Sequence, residues 1–359
     1  MSSPSDIGVI SVTQWYIDTR SLHPETTRAE VALPLLSSLS AADQANITRF
    51  LQAKDKLMSL ASTLLKYLFI HRTAQVPWSD VTISRWPAPH KRPYWSPSSS
   101  WPGTFGLEFN VSHQAGLTAL VGCKTPDKGS SSQPDLDFDI LHNGTGCINS
   151  TSASKPRLGV DITCTSESHR GPKQMTTSAA FATWTDIFTE MFSARERHDM
   201  QYAPINADID LSTEEAETSA KLRRFYTYWS LKEAYIKMVG EGLLASWLRE
   251  LEFSDIVPPP LPAEEEIWGR TLHSATTDNP ASFKISLRQQ LVQDVSMTLT
   301  SYEDTFIIAT AMKGVIPSHT NEDPEWRRID FDRDIRPCAE GYCNCAILRK
   351  SDIGLDHVG

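Results

Sequence analysis

The chain of 359 residues is 40% hydrophobic and 22% charged, enough to bury the core of one large domain or two moderate ones. Its net charge of −10 argues against a general nucleic-acid binder, because such proteins usually present a basic surface. No apolar run approaches the roughly 18 residues of a membrane span, and the first residues lack the basic and apolar parts of a secretory signal. We therefore expect a cytoplasmic protein without membrane contact.

In the first half of the chain, alternation predicts a strand at residues 7–17, and an apolar face predicts a helix over residues 39–70. Proline dominates residues 77–102, which predicts extended or looped chain. A strand, a polar break and a second strand follow, ending near Cys123. Residues 124–155 are rich in Ser, Gly, Asn and Asp and lack a sustained period, so we predict a surface insertion there.

The second half begins with a short apolar strand that contains a single carboxylate, Asp161. The further predicted elements are a loop and helix at 178–202, a disordered acidic stretch at 206–217, a long helix at 220–239 ended by Gly240, and strands at 281–287 and 295–311 with a turn at 302–304. Beyond Pro317 the polar composition predicts a weakly ordered tail. Strands and helices without a regular strand–helix–strand repeat indicate the α+β class.

The segment WSLKEAYIK at residues 229–237 places Glu233 and Lys237 one helical turn apart, so the two share a face. They could form a surface ion pair worth about 0.2 to 0.5 kcal/mol. They could also bind a phosphate-bearing substrate, with Trp229 on nearly the same face. Asp161 favours the second interpretation, because a divalent cation shared with Glu233 would remove the cost of burying a lone carboxylate. Asp161 could equally be a hydrogen-bonded or turn aspartate.

Two blocks upstream carry further candidate residues. His113 lies between two predicted strands and is either a structural histidine at a strand end or part of a site. Arg92 stands beside Lys91 and Pro93, and this basic, proline-stiffened segment suits a phosphate contact.

The six cysteines are predicted to be free thiols, since no secretion signal precedes them. They are Cys123, Cys147, Cys164, Cys338, Cys343 and Cys345. The last three cluster in the sequence, but a metal site there needs a fourth ligand, and the histidine nearest in sequence is His357 in the predicted tail. Free thiols are therefore favoured over zinc.

The order of these blocks resembles the larger, surfactin-type class of 4'-phosphopantetheinyl transferases. The resemblance covers roughly residues 31–312 and rests on Arg92-Pro93, Phe-Asn-Val-Ser-His at 109–113, Gly-Val-Asp at 159–161 and Trp-Ser-Leu-Lys-Glu-Ala-Tyr-Ile-Lys at 229–237. Phe-Ser-Ala-Arg-Glu at 192–196 and Lys54 match family positions as well. Many bacterial members carry a second acid where this chain has Thr163, and a neutral hydroxyl cannot replace that charge.

The resemblance implies a fold of two similar α+β subdomains related by a pseudo-twofold axis, with coenzyme A in the cleft between them. We expect residues 1–157 and 158–316 to form these subdomains, with residues 317–359 as the tail. The implied reaction is Mg2+-dependent transfer of the 4'-phosphopantetheine arm of coenzyme A to a serine of a carrier protein, releasing 3',5'-adenosine bisphosphate.

The resemblance also implies the roles of individual residues. Asp161, Glu233 and Lys237 are the expected catalytic residues, with Asp161 and Glu233 as magnesium ligands and Glu233 as candidate base. The residues expected to bind coenzyme A are Lys54, Arg92, Ser112, His113 and Lys237.

The implied partners are apo acyl carrier and peptidyl carrier domains of polyketide synthases and non-ribosomal peptide synthetases, and aminoadipate reductase. We expect a monomer that binds no nucleic acid. The alternative is a catalytically silent module that binds carrier protein or coenzyme A, which Thr163 and the long insertions make credible. The presence of both carboxylates and Lys237 weighs against it. Another nucleotide-dependent phosphotransferase is disfavoured because no Gly-x-x-x-x-Gly-Lys-Ser/Thr loop occurs.

Overall fold

The computed structural model describes residues 11–22, 32–87, 92–99, 101–126, 155–166, 177–205, 213–243, 245–275, 283–315 and 325–345. The helices are α1 (Ala41–Thr48), α2 (Ala53–Ala74), α3 (Ser178–Thr185), α4 (Ala194–Tyr202), α5 (Glu214–Val239) and α6 (Arg336–Ala339). The strands are β1 (Val12–Asp18), β2 (Ile83–Arg85), β3 (Pro93–Trp95), β4 (Gly106–Gln114), β5 (Leu117–Thr125), β6 (Arg157–Cys164), β7 (Leu251–Ser254), β8 (Leu272–His273), β9 (Lys284–Leu287), β10 (Gln290–Leu291), β11 (Val295–Tyr302), β12 (Phe306–Lys313) and β13 (Arg327–Arg328). No helix in these ranges is both long and apolar enough to cross a membrane.

The chain divides into two compact units. The first comprises Met1–Trp86, Arg92–Gln133 and Ile316–Gly359, and the second comprises Pro87–Lys91 and Pro134–Val315. In the first unit a four-stranded sheet has the order β13-β1-β5-β4. The β4–β5 hairpin is antiparallel, and β1 pairs antiparallel with β5. Helix α2 packs on one face of this sheet, where Phe69 contacts Phe109 with ring centroids 6.0 Å apart.

In the second unit a four-stranded sheet has the order β6-β12-β11-β8, and α5 packs against β6 and β12. Gly159 of β6 is required for this packing. A Cβ atom at that position would lie 2.1 Å from the Ala234 carbonyl oxygen and 2.5 Å from the Met238 nitrogen. Only glycine therefore lets the helix backbone lie this close to the strand. A separate three-stranded sheet, β10-β9-β7, completes the unit.

The two units repeat one topology. In each, a strand precedes a long helix and then an antiparallel hairpin whose second strand pairs antiparallel with the first strand. The strand, helix and hairpin are β1, α2 and β4–β5 in the first unit, and β6, α5 and β11–β12 in the second. The prediction of helices combined with sheets is confirmed, and the strands of the two main hairpins are antiparallel.

Helix boundaries differ from the prediction in three places. The helix expected at 178–202 is two separate helices, α3 and α4. The helix expected at 39–70 is two helices separated by a short non-helical segment. Leu51 in that segment is 95% exposed, so it does not extend the apolar face of either helix. The long helix starts at Glu214, within the stretch expected to be disordered. Thr213 caps it by accepting a hydrogen bond from the Ala216 nitrogen. Its acidic first turn is favoured by the helix dipole.

The segment 325–345, expected to belong to a weakly ordered tail, is part of the first unit. Strand β13 pairs parallel with β1, and a π-helical turn, Phe331–Ile335, leads into α6. Ile335 is fully buried and Asp334 is held by Arg327 and Arg333. Polar residues dominate the segment, so the few apolar side chains that anchor it form no recognisable hydrophobic pattern in the sequence. Strand β5 also extends to Thr125, into the predicted insertion, and residues 127–154 lie outside the described residues.

Candidate active site

Asp161 is the centre of a polar cluster inside the second unit. Its side chain is 6% exposed and accepts three hydrogen bonds. Lys237 Nζ donates to Oδ1 at 2.6 Å, while Thr163 Oγ1 and Ser230 Oγ donate to Oδ2 at 2.8 and 3.2 Å. An ionised carboxylate is tolerated at such depth only when charged or polar partners surround it. Asp161 is therefore a buried, hydrogen-bonded carboxylate that faces a cation.

Helix α5 supplies one wall of this cluster. Ser230, Glu233 and Lys237 follow the spacing i, i+3, i+7 and therefore lie on one helical face. The first and last of them touch Asp161, so the half-buried Glu233 lies between two residues that contact the carboxylate. The close approach at Gly159 brings this face onto β6. The carboxylate-bearing face predicted from the sequence is thus directed at the Asp161 strand.

The sequence left open whether Lys237 forms a surface ion pair with Glu233 or binds a phosphate-bearing substrate, and the structure bears on the first of these. Lys237 forms its 2.6 Å ion pair with Asp161, across the strand–helix contact, and its side chain is 28% exposed. A simple surface pair within the helix does not describe this residue. Thr163, which replaces the second acid of many bacterial family members, donates a hydrogen bond to Asp161 and so stabilises its charge.

Lys232 lies in the same motif but is buried in the core instead of contacting Asp161. It forms an ion pair with Glu196 at 3.0 Å, and both side chains are fully buried. Its ammonium also donates to the carbonyls of Leu248 and Leu251. Burial raises the pKa of Glu196 and lowers the pKa of Lys232. Because residue 232 is about 100° around the helix from Glu233, this lysine points into the core.

Glu196 ties the predicted 192–196 segment to the rest of the unit. Its carboxylate accepts from the backbone nitrogen of Ser193 at 3.0 Å, which closes a capping box at the start of α4. It also accepts from the backbone nitrogen of Phe253 at 2.9 Å. The segment matched the family by sequence, and its role here is structural. Trp229 is half-buried and packs against the core, where its ring centroid lies 5.9 Å from that of Phe188 and 6.1 Å from that of Phe225.

The residues expected to bind coenzyme A include four in the first unit, where β4 presents two of them. Ser112 and His113 are neighbours on β4, so their side chains point to opposite faces of the sheet. Phe109 faces α2, and His113, four residues further on, therefore shares that side. His113 is exposed, whereas Ser112 is buried on the other face.

The hairpin turn after His113 explains its position at the end of the strand. Ala115 and Gly116 both have positive φ, 48° and 86°, as a two-residue type I′ turn requires. The Gly116 nitrogen donates to the sulfur of Met58 at 3.2 Å. Lys54 lies one helical turn before Met58 on α2, so it is directed toward the same end of the sheet as His113.

Arg92 is buried in an ion pair with Glu108 of β4. The two side chains are 7% and 13% exposed. Glu108 and Ser112 are separated by four residues on one strand and share the face opposite α2. Within the first unit, Arg92 and Ser112 thus belong to one side of the sheet, and Lys54 and His113 to the other.

Both units match family models. Residues 24–125 match the model described as 4'-phosphopantetheinyl transferase, N-terminal, and residues 157–298 match that of the 4'-phosphopantetheinyl transferase superfamily. Asp161, Ser230, Glu233 and Lys237 lie within the second range. The chain belongs to the 4'-phosphopantetheinyl transferase superfamily.

Two fungal relatives cover nearly the whole chain, and a third covers about two thirds of it. The 4'-phosphopantetheinyl transferase A of Aspergillus fumigatus is 40% identical over 371 residues, covering 96% of this chain and 99% of the relative. The 4'-phosphopantetheinyl transferase NpgA of Emericella nidulans is 38% identical, covering 93% and 96%. The L-aminoadipate-semialdehyde dehydrogenase-phosphopantetheinyl transferase of Schizosaccharomyces pombe is 27% identical, covering 63% and 67%.

Proposed function

We propose that this chain transfers the 4'-phosphopantetheine arm of coenzyme A to a serine hydroxyl of apo carrier proteins and releases 3',5'-adenosine bisphosphate. The observation that carries the proposal is the Asp161–Lys237 pair on the β6–α5 contact, with Glu233 on the same helical face. The two full-length relatives, both named as 4'-phosphopantetheinyl transferases, support the same reaction.

The donor chemistry around Asp161 fits magnesium. Magnesium prefers oxygen ligands and is usually bound through one or two carboxylates plus substrate phosphates, which Asp161 and Glu233 can provide without a second acid at Thr163. The Lys237 ammonium lies 2.6 Å from Asp161 Oδ1, so the Asp161 carboxylate stabilises a positive charge beside it. When bound, the ion would supply charge neutralisation for the pyrophosphate oxygens.

Protein side chains would carry out the remaining steps of the transfer. The serine oxygen forms a bond to the pantetheine-side phosphorus, and the bond from that phosphorus to the bridging oxygen breaks. Lys237 offsets the negative charge that develops on the phosphate oxygens. Glu233 accepts the serine proton, directly or through a water. Ser230 and Thr163 donate hydrogen bonds that fix the orientation of the Asp161 carboxylate.

The first unit is proposed to bind the nucleotide part of coenzyme A through Lys54, Arg92, Ser112 and His113. Two cations and an imidazole suit a polyanionic ligand. The pseudo-twofold arrangement with coenzyme A in a cleft remains part of this proposal. What supports it is the topology shared by the units.

The proposed clients are acyl and peptidyl carrier domains of polyketide synthases and non-ribosomal peptide synthetases, and aminoadipate reductase. The Schizosaccharomyces pombe relative, named as an L-aminoadipate-semialdehyde dehydrogenase-phosphopantetheinyl transferase, supports the last of these. A catalytically silent binding module is the alternative function. The presence of Asp161, Glu233 and Lys237 on one strand–helix contact favours the enzyme.

The test is to incubate the purified protein with coenzyme A, Mg2+ and an apo carrier domain and to record the mass of the carrier. We expect an increase of one phosphopantetheine arm. Several apo carrier domains assayed side by side would identify the clients. Binding of coenzyme A without any mass increase on any carrier would support the silent module.

The matched variant is Asp161→Asn, which keeps the size of the side chain and removes its charge. We expect at least a tenfold loss of kcat/KM, about 1.4 kcal/mol, because a metal ligand and the partner of Lys237 are lost together. Circular dichroism should match the wild type. Wild-type turnover at ordinary Mg2+ would contradict the role of Asp161.

A further inference from the structure

Four side chains with metal-binding atoms meet in the first unit, whereas the residues assigned to catalysis belong to the second unit. They are His71 in the last turn of α2, Cys338 in α6, and Cys343 and Cys345 in the chain that follows. All four ligand atoms lie within 4.8 Å of one another. The sequence pattern had the three cysteines but lacked a fourth ligand, which comes from a helix 272 residues before Cys343.

Two of the distances within the cluster match the edges of a tetrahedral zinc site. Cys338 Sγ and Cys345 Sγ are 3.7 Å apart, and His71 Nε2 is 3.4 Å from Cys343 Sγ. Zinc bonds of about 2.3 Å to sulfur and about 2.0 Å to nitrogen give tetrahedral edges of roughly 3.8 Å and 3.6 Å. The sulfur–sulfur distance is far longer than the roughly 2.0 Å of a disulfide.

The orientation of His71 suits a metal ligand. Its Nδ1 lies 2.7 Å from the carbonyl oxygen of Val76, so Nδ1 carries the proton and donates this hydrogen bond. The Nε2 lone pair therefore faces Cys343. Zinc-binding histidines generally donate their second ring nitrogen to a carbonyl or carboxylate in this manner, which fixes the ring and the tautomer.

The surroundings of the cluster fit a closed structural site. His71 is 2% exposed and Cys338 is 1% exposed, and Gly341, with φ of 81°, turns the chain after α6 so that Cys343 and Cys345 return to Cys338. Three thiolates, one neutral imidazole and one Zn2+ sum to a single negative charge. The Arg72 guanidinium acts electrostatically on Cys338 and Cys345 and offsets it.

We propose that His71, Cys338, Cys343 and Cys345 form a structural zinc site that fastens the segment 325–345 to α2. Three soft thiolates and an imidazole select zinc over the hard cation of the transfer reaction. Four protein ligands leave no open position, so this zinc stabilises the fold and takes no part in the chemistry.

The test measures zinc directly in the full-length protein, expressed with supplemented zinc and purified under reducing conditions. We expect about one zinc per chain by elemental mass spectrometry. X-ray absorption at the zinc edge should show about three sulfurs near 2.3 Å and one nitrogen near 2.0 Å. A zinc-free reduced protein, or a Cys338–Cys345 disulfide in the protein as isolated, would overturn the proposal.

Variants supply the matched comparison. Cys343→Ser, at a half-buried position, should lose most of the zinc, whereas Cys164→Ser in the second unit should retain it. A strong zinc chelator should lower the Tm of the wild type by at least a few degrees, and zinc, but not Mg2+, should restore it. Zinc retained by Cys343→Ser would refute the ligand set. Metal content does not depend on transfer activity, so this result stands apart from the outcome for the proposed function.

Discussion

At the scale of single residues, Asp161 and Lys237 stabilise each other, and each also has a proposed role toward the substrate. Asp161 accepts hydrogen bonds from two hydroxyl groups besides the ammonium, and these donors lie on both β6 and α5. Lys237 is partly exposed, which leaves its ammonium accessible to an anionic ligand. Substitutions of Asp161 or Lys237 should therefore reduce activity more strongly than they reduce the stability of the fold.

The variant Lys237→Ala should lower kcat/KM at least about a hundredfold, roughly 2.7 kcal/mol, because a charge-assisted contact to the pyrophosphate is lost. It should also cost about 1 to 2 kcal/mol of stability, since Asp161 loses its charged donor. Steady-state kinetics and urea unfolding measure the two effects.

Lys221→Ala is the matched control on the same helix. Lys221 forms an i,i+4 pair with Glu217 at 2.6 Å and donates to Ser178 Oγ at 3.1 Å, so its loss should cost about 1 kcal/mol of stability and leave kinetics unchanged. Unchanged kinetics in both variants would contradict the proposed contact of Lys237 with the pyrophosphate.

Lys66 makes stability depend on pH. It is buried in α2, and burial, with Arg85 as the next cause, lowers its pKa from 10.5 to about 8. Below pH 8 the lysine is charged in both states, and the burial penalty, about 3 kcal/mol, is fully present. Between pH 8 and 10.5 the folded state releases the proton before the unfolded state does, so Lys66 contributes a gain in stability as pH rises.

The variant Lys66→Met should therefore be more stable than the wild type at pH 7, by up to about 3 kcal/mol, and the difference should shrink toward pH 10. Denaturant unfolding of both proteins at the two pH values measures it. A difference that stays constant across this range would show that Lys66 is not the titrating group.

At the scale of elements, the sequence predicts local patterns well and distant partners poorly. The hairpin of β11 and β12 and the core of α5 follow from alternation and helical period, and both are present. The partner of Lys232 could not be deduced, because Glu196 lies 36 residues earlier on another helix. The motif holds two lysines, and only packing separates the one that faces Asp161 from the one that faces the core.

Lys232→Met should destabilise the protein by about 3 to 5 kcal/mol, because Glu196 would remain as an uncompensated buried charge. Glu196→Gln combined with Lys232→Met should recover part of this loss, since no charge is then buried. A double-mutant cycle in denaturant measures the coupling. Strictly additive effects would show that the two groups are not coupled.

At the scale of the whole molecule, the first unit is assembled from distant parts of the chain. The segment 325–345 adds β13 beside β1 and buries Ile335 in the core formed around α2. Its composition is polar, so hydrophobic periodicity could not reveal it. The proposed coenzyme-binding residues were inferred from family motifs, whereas the opposite orientations of Ser112 and His113 required the strand register.

Ile335→Ala tests whether this segment is an integral part of the first unit. The side chain is fully buried, so its truncation should lower the free energy of unfolding by about 2 to 5 kcal/mol. Tyr342→Ala, in the same segment but 59% exposed, should change it by less than about 0.5 kcal/mol. Hydrogen exchange should accelerate in β1 and β5 of the Ile335 variant and remain unchanged in β11 and β12, because the latter belong to the other unit. If both variants unfolded alike, the segment would contribute no core packing, and the first unit would be complete without it.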